Sequence, residues 1–224
     1  MTQALRGAGF LLDMDGTLID SEVVFYASAH AAMSTLGYAD AEEICRAMLG
    51  VSSVERNEML RARCGGDFPM ASFDEARLRR RESLLEDGLR PKRGAAELLD
   101  AIDQAGRPKA IVTSSSRRSA ERHLTLAGLR GRFDVIVTRD DVQRGKPAPD
   151  LFLVAAGRIG LDPSACIAIE DSNPGIAAAH ASGAFAIMVP DLVPPGPAAT
   201  DLGVTVLPDL LAALSFLRER GALP

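Results

Sequence analysis

Apolar residues fall in short unbroken runs at Gly9–Leu12, Ala110–Val112, Val135–Val137, Ile167–Ile169 and Ala184–Val189. Runs of this length without polar alternation suit strands buried on both faces, where neither side can carry a charge into the core. Between them lie stretches with helical spacing, Ala95–Gln104, Arg118–Ala127, Leu151–Ile159 and Ile176–Ala181, so strand and helix alternate from about residue 90 onward. The alternation predicts an α/β fold, a parallel sheet with helices on both faces in a Rossmann-like three-layer core.

The first run breaks this rhythm. After Asp13 no further candidate strand appears until Ala110, and the intervening stretch reads as four helices, Glu22–Leu36, Ala41–Leu49, Val54–Arg63 and Ser72–Asp87. Gly37, Gly50, Gly65-Gly66 and Pro69 mark the breaks between them. The expectation is an α-helical cap inserted at residues 20–88 into a core formed by 1–19 and 89–224, with hinges near Asp20–Glu22 and Glu86–Leu89. The prolines from Pro190 to Pro197 predict a loop, followed by a short strand at Val204–Leu207 and a last helix.

Charge narrows the partners. Lysine and arginine number 25 against 30 acidic residues, a formal −5, and tryptophan is absent, so neither electrostatic capture nor base stacking favours nucleic acid. The apolar run after Gly9 is too short for a signal peptide, no later run reaches membrane-spanning length, and Cys45, Cys64 and Cys166 form neither a disulfide framework nor a metal spacing. A cytoplasmic protein bound to no membrane is the expectation.

The informative polar residues directly follow the strands. Asp13-Met14-Asp15-Gly16-Thr17 follows the first, Thr113-Ser114-Ser115-Ser116 the second, Gly145-Lys146-Pro147 the third after a loop, and Glu170-Asp171-Ser172 the fourth. In an open parallel sheet these strand ends share one edge, so four carboxylates, a hydroxyl and an ammonium would converge there. Crowded carboxylates raise one another's pKa unless a cation offsets them, and a hard divalent ion such as Mg2+ is the economical one. Lys146 and Ser114 would then address phosphate oxygens. One aspartate can attack phosphorus while another serves as acid and then base.

These motifs, in this order and covering essentially the whole chain, resemble those of the haloacid dehalogenase superfamily. The run from Asp13 to Glu22, with a helical insert after it, is similar to the branch of beta-phosphoglucomutases and sugar-phosphate phosphatases. The resemblance implies that Asp13 is nucleophile and magnesium ligand, that Asp15 is general acid/base and binds the metal through its main-chain carbonyl, and that Glu170 and Asp171 complete the metal site. It implies phosphate binding by Ser114, with Thr113 as the alternative hydroxyl, by the main chain of Ser115 and by Lys146. Met14 would offer its N–H to phosphate. Gly50 and Ser53, in the loop after the second cap helix, are the cap's candidate substrate contacts, with specificity expected around Met48–Ser53, Arg46 and Arg56.

The sequence departs from the mutases. Phe25 stands where they carry a cap histidine, and Gly50-Val51-Ser52-Ser53 lacks their arginine. Asp15 argues against dehalogenation, and the absence of lysine before Lys92 against phosphonate cleavage. The expected activity is Mg2+-dependent hydrolysis of a small phosphorylated metabolite, foremost a sugar phosphate, through an aspartyl-phosphate. The alternatives are a phosphomutase and, behind it, a non-catalytic sensor of such metabolites. A monomer is expected. His30, His123 and His180 lie inside predicted helices and read as surface or packing residues. Arg77, Arg79, Arg80 and Arg81 read as a solvated face, interleaved with Glu75, Glu82 and Glu86 in helix ion pairs.

Overall fold

The computed structural model describes residues 7–49, 53–86 and 88–224. Two compact units emerge, Met1–Asp20 with Arg90–Pro224, and Ser21–Leu89.

The first is a Rossmann-like core. Its six strands are β1 (Gly9–Leu12), β2 (Lys109–Val112), β3 (Val135–Val137), β4 (Cys166–Glu170), β5 (Phe185–Met188) and β6 (Thr205–Val206). They form one parallel sheet in the order β3-β2-β1-β4-β5-β6, with Leu11 of β1 opposite both Ala110 and Ala168. From β1 the chain builds outward to β3 and then returns to β4 to build the other way. The connections diverge where β1 and β4 end, and the resulting crevice is where such sheets bind ligands.

The helices of the second unit are α1 (Glu22–Thr35), α2 (Ala41–Ala47), α3 (Ser53–Cys64) and α4 (Met70–Leu85); those of the core are α5 (Ala95–Gln104), α6 (Arg117–Leu126), α7 (Asp150–Arg158), α8 (Asn173–Ala181), α9 (Pro197–Asp201) and α10 (Leu210–Glu219). Leu11, Ala110, Val112 and Ala168 pack with Leu151, Phe152 and Ala155 of α7 and with Ile176 and Ala179 of α8. Strand alternation sends Phe10 and Leu12 to the opposite face, and α5 buries Leu98, Leu99 and Ile102 while α10 buries Leu210, Leu214 and Leu217. Each fully buried leucine or phenylalanine contributes roughly 1.5–3 kcal/mol, so the sheet edge rests on a rigid base.

The helical insert has its own core of Ala29, Met33, Ile44, Cys45, Leu60, Phe68 and Phe73, with α1 packed chiefly on α4. Where the chain leaves the core and returns to it, Asp20 N–H donates to the Arg90 carbonyl at 2.9 Å and Ile19 bridges Pro91. Lys92 ties this crossing to the end of β5, donating to Asp191 at 2.5 Å. Among the described residues no helix is long and apolar enough to cross a membrane.

Pro197–Asp201 is a short helix rather than loop, since proline is accepted in a first turn. α8 runs from Asn173, with Ser172 as its N-cap.

Candidate active site

Asp13 directly follows β1 and is still held by the sheet, its N–H donating to the Ile169 carbonyl at 3.0 Å. The turn after it closes when Leu18 and Ile19 both donate to the Met14 carbonyl at 3.0 Å. Gly16 sits there at φ 84°, a left-handed conformation that costs a residue without Cβ little. The Met14 side chain is fully buried beneath this turn.

Lys146 reaches the ends of three strands. Its ammonium donates to Asp13 Oδ1 at 2.6 Å, to the Val112 carbonyl at 3.0 Å and to Glu170 Oε1, and so uses all three of its N–H bonds. The other oxygen of Glu170 accepts both the N–H and the hydroxyl of Ser172 at 2.9 Å, and that hydroxyl accepts the Gly175 N–H at 3.1 Å at the start of α8. Asp171 accepts the Thr17 hydroxyl at 3.3 Å.

Carboxylate oxygens of Asp13, Glu170 and Asp171 lie within 4.8 Å of one another, all three residues buried. At that spacing each pair of like charges repels by about 3–4 kcal/mol at an effective dielectric near 20, and Lys146, paired with Asp13 and Glu170, opposes them. Burial pushes the Asp13 carboxyl well above the usual carboxylate range; Lys146 pulls it back, and Glu170 and Asp15 push it further up. Burial works to lower the Lys146 ammonium, but Asp13 and Glu170 outweigh it and hold it above the ordinary lysine value. Asp13 Oδ2 is buried with no hydrogen-bond partner among the described residues. An all-oxygen donor set with excess negative charge and an orphaned carboxylate oxygen fits a hard divalent cation such as Mg2+.

Asp15 is gripped on both oxygens. Oδ2 accepts the Ser115 hydroxyl at 2.7 Å and the Thr113 hydroxyl at 3.4 Å, while Oδ1 faces His123 Nδ1 at 3.0 Å. Thr113 is buried and also accepts the Ser115 N–H at 3.0 Å, whereas Ser114 is exposed. Thr113 is thus turned toward Asp15, and Ser114 presents the open hydroxyl of the two. His123, read from the sequence as a surface or packing residue, is buried at 8% exposure and packs against Asp15, which precedes it by 108 positions. No local pattern announces such a contact.

Of the insert's candidates, Gly50 and the Ser53 side chain lie outside the described residues. Arg46 forms an exposed helix pair with Glu42 at 2.9 Å. Arg56 and Arg77 both lie over Phe25, their guanidinium carbons 5.8 and 5.9 Å from the ring centroid. Burial and then Arg77 lower the Arg56 pKa, with Asp74 opposing them, and the Nε atoms of both arginines are buried without a hydrogen-bond partner among the described residues. Arg77 therefore departs from the solvated face expected of it, while Arg79 keeps to that face in a pair with Glu75 at 2.6 Å.

Comparison with known proteins agrees with this geometry. The chain is 34% identical over 191 residues to fructose-1-phosphate phosphatase YqaB of Escherichia coli, an alignment covering 82% of this chain and 97% of that one. It is 34% identical over 185 residues to hexitol phosphatase A of the same organism, covering 83% and 84%. A haloacid dehalogenase family hydrolase from Deinococcus radiodurans, solved with bound phosphate and sodium, superposes with a TM-score of 0.81 at 32% identity, covering 97% of this chain and 98% of its own. The sequence pattern of the haloacid dehalogenase-like hydrolases matches residues 8–183, and the chain is an enzyme belonging to that family.

Proposed function

We propose that the enzyme hydrolyses the phosphomonoester of a small phosphorylated metabolite, foremost a sugar phosphate, with Mg2+ and through an aspartyl-phosphate on Asp13. The observation that carries this reading is the state of Asp13, with Oδ1 taken by Lys146 and Oδ2 buried with no hydrogen-bond partner among the described residues, in a cluster of three carboxylates. Asp13, Glu170, Asp171 and the main-chain carbonyl of Asp15 would hold the ion. Bound there, Mg2+ supplies fixed positive charge that draws in and polarises phosphoryl oxygens.

The chain's own residues supply the remaining chemistry. Lys146 orients Asp13 and keeps a positive charge at the phosphate, while Ser114 and the Met14 N–H would donate to its oxygens. A carboxylate oxygen of Asp13 attacks phosphorus, the bond from phosphorus to the leaving oxygen breaks, and Asp15 gives that oxygen its proton. Asp15, now a base, takes a proton from water as the water oxygen attacks phosphorus and the Asp13–phosphorus bond breaks. Inorganic phosphate leaves and Asp13 is restored.

The relatives named for phosphatase action on fructose 1-phosphate and hexitol phosphates support a sugar or polyol phosphate as substrate. Phe25, which can neither give nor take a proton, weighs against the mutase. The test is phosphate release from a panel of sugar phosphates, sugar-acid phosphates and bisphosphates with Mg2+. Free sugar and phosphate are expected; a hexose 6-phosphate formed from the 1-phosphate would establish the mutase, and loss of no activity in Asp13→Asn would overturn the nucleophile.

A further inference from the structure

We propose that His123 is a positioning residue that holds Asp15 in the attitude its acid/base work requires; the assignment rests on the phosphatase reading above. His123 lies on the inward face of α6 with Ala120 and Leu124, and Ala127 continues that stripe just beyond the helix. The spacing 120, 123, 124, 127 is that of a helix's core stripe. An imidazole placed there is costly unless its polar atoms are satisfied. Its Nδ1 stands 3.0 Å from Asp15 Oδ1, and the contact crosses from α6 to the turn after β1.

One continuous segment thereby grips both oxygens of Asp15. Thr113 and Ser115, in the connection from β2 to α6, donate to Oδ2, and His123, two turns into α6, meets Oδ1. The two hydroxyls hold one oxygen of the carboxylate in place. The imidazole on the other fixes its plane, while the Asp15 side chain keeps 27% of its surface exposed and so remains reachable. A neutral imidazole can donate or accept at Nδ1 according to its tautomer, so the contact serves Asp15 both with and without a proton. A displacement of about 1 Å in a catalytic group costs on the order of 100-fold in rate, which makes such a clamp consequential.

Leaving-group chemistry isolates this role. A nitrophenolate leaves phosphorus with little need of a proton, whereas the alkoxide of a sugar or polyol needs one from Asp15. We therefore compare kcat/KM for p-nitrophenyl phosphate and for an alkyl sugar phosphate in wild type, His123→Leu and His123→Asn. Asparagine keeps a polar atom near the Nδ1 position; leucine fills the space without one. The expected result is a loss of about 10- to 100-fold for His123→Leu on the alkyl phosphate, less than about 3-fold on the aryl phosphate, and substantial recovery in His123→Asn. Should His123→Leu fail to fold, Ser115→Ala, which loosens the other oxygen, is expected to show the same leaving-group-dependent loss. Equal losses on both substrates, no loss, or an asparagine variant no better than leucine would overturn the assignment alone. A wild-type enzyme that releases phosphate from neither substrate would overturn the phosphatase reading and this role with it.

Discussion

A Cβ on Gly175 would stand 1.9 Å from Oε1 of Glu170, closer than any side chain can approach. Glycine near the start of a helix ordinarily lowers stability against alanine by about 0.5–1 kcal/mol. Here the sign should reverse. Gly175→Ala must push the Glu170 carboxylate away from Lys146 and Ser172, and with it the ammonium that holds Asp13. The variant is expected to melt below wild type and to lose about 100-fold in phosphate release. A variant as stable and active as wild type would show that Glu170 can move without consequence.

Asp13→Asn should separate activity from stability. The amide cannot serve as nucleophile, so turnover is expected to fall by more than about 1,000-fold. It also removes a charge whose second oxygen is buried with no hydrogen-bond partner among the described residues, while Lys146 keeps Glu170 and the Val112 carbonyl as acceptors. In chelator the variant is therefore expected to melt at or above the wild-type temperature. A fall of more than about 4 °C, roughly 1 kcal/mol or more for a domain of this size, would mean that the Lys146–Asp13 pair outweighs the burial of charge.

The core strands were legible because strands covered on both faces must be apolar throughout, and β1 in the structure coincides with the apolar run Gly9–Leu12. The motif residues were legible because they follow those strands, and the parallel sheet brings Asp13, Lys146, Glu170 and Asp171 together. Helix ends were less so. Pro197 read as part of a loop, although it belongs to a first turn. His123 was not legible, since its contact with Asp15 depends on how α6 packs rather than on any local spacing. Gly175 was not legible for a related reason: what demands glycine there is a side chain on the preceding strand.

Removing the cation should stop turnover, and adding Mg2+ back should restore it. The same ion should stabilise the fold, because the three converging carboxylates exist only in the native chain. Saturation at 100 times the dissociation constant adds about 2.7 kcal/mol, which for a chain of this length is a rise of several degrees in melting temperature. In Asp171→Asn that rise should shrink or vanish. A melting temperature indifferent to Mg2+ in wild type, together with full activity in chelator, would exclude the cation site.

Asp141 links the end of β3 to two helices, and its acid sensitivity can be predicted with a sign. Oδ2 accepts the Thr138 N–H at 2.8 Å, the Thr138 hydroxyl at 2.9 Å and Arg117 at 2.6 Å, while Oδ1 accepts Arg158 at 2.8 Å. Both arginines also donate to the Ile136 carbonyl, so α6 and α7 are fastened to the edge strand through one carboxylate. Burial works to raise its pKa, but the Thr138 N–H, Arg158, the Thr138 hydroxyl and Arg117 outweigh it and hold the carboxyl at about 2, against an ordinary 3.8. A carboxyl lowered in the folded state stabilises it fully above the unfolded value, and that contribution is lost as pH falls from about 4 to about 2. Asp141→Asn should therefore cost on the order of 1 kcal/mol at pH 7, allowing for solvent screening of the partly exposed arginines. The gap to wild type should narrow through pH 4 and 3 and close near pH 2. Urea midpoints at these pH values measure it, and a gap independent of pH would show that Asp141 acts through its shape and neutral hydrogen bonds rather than its charge.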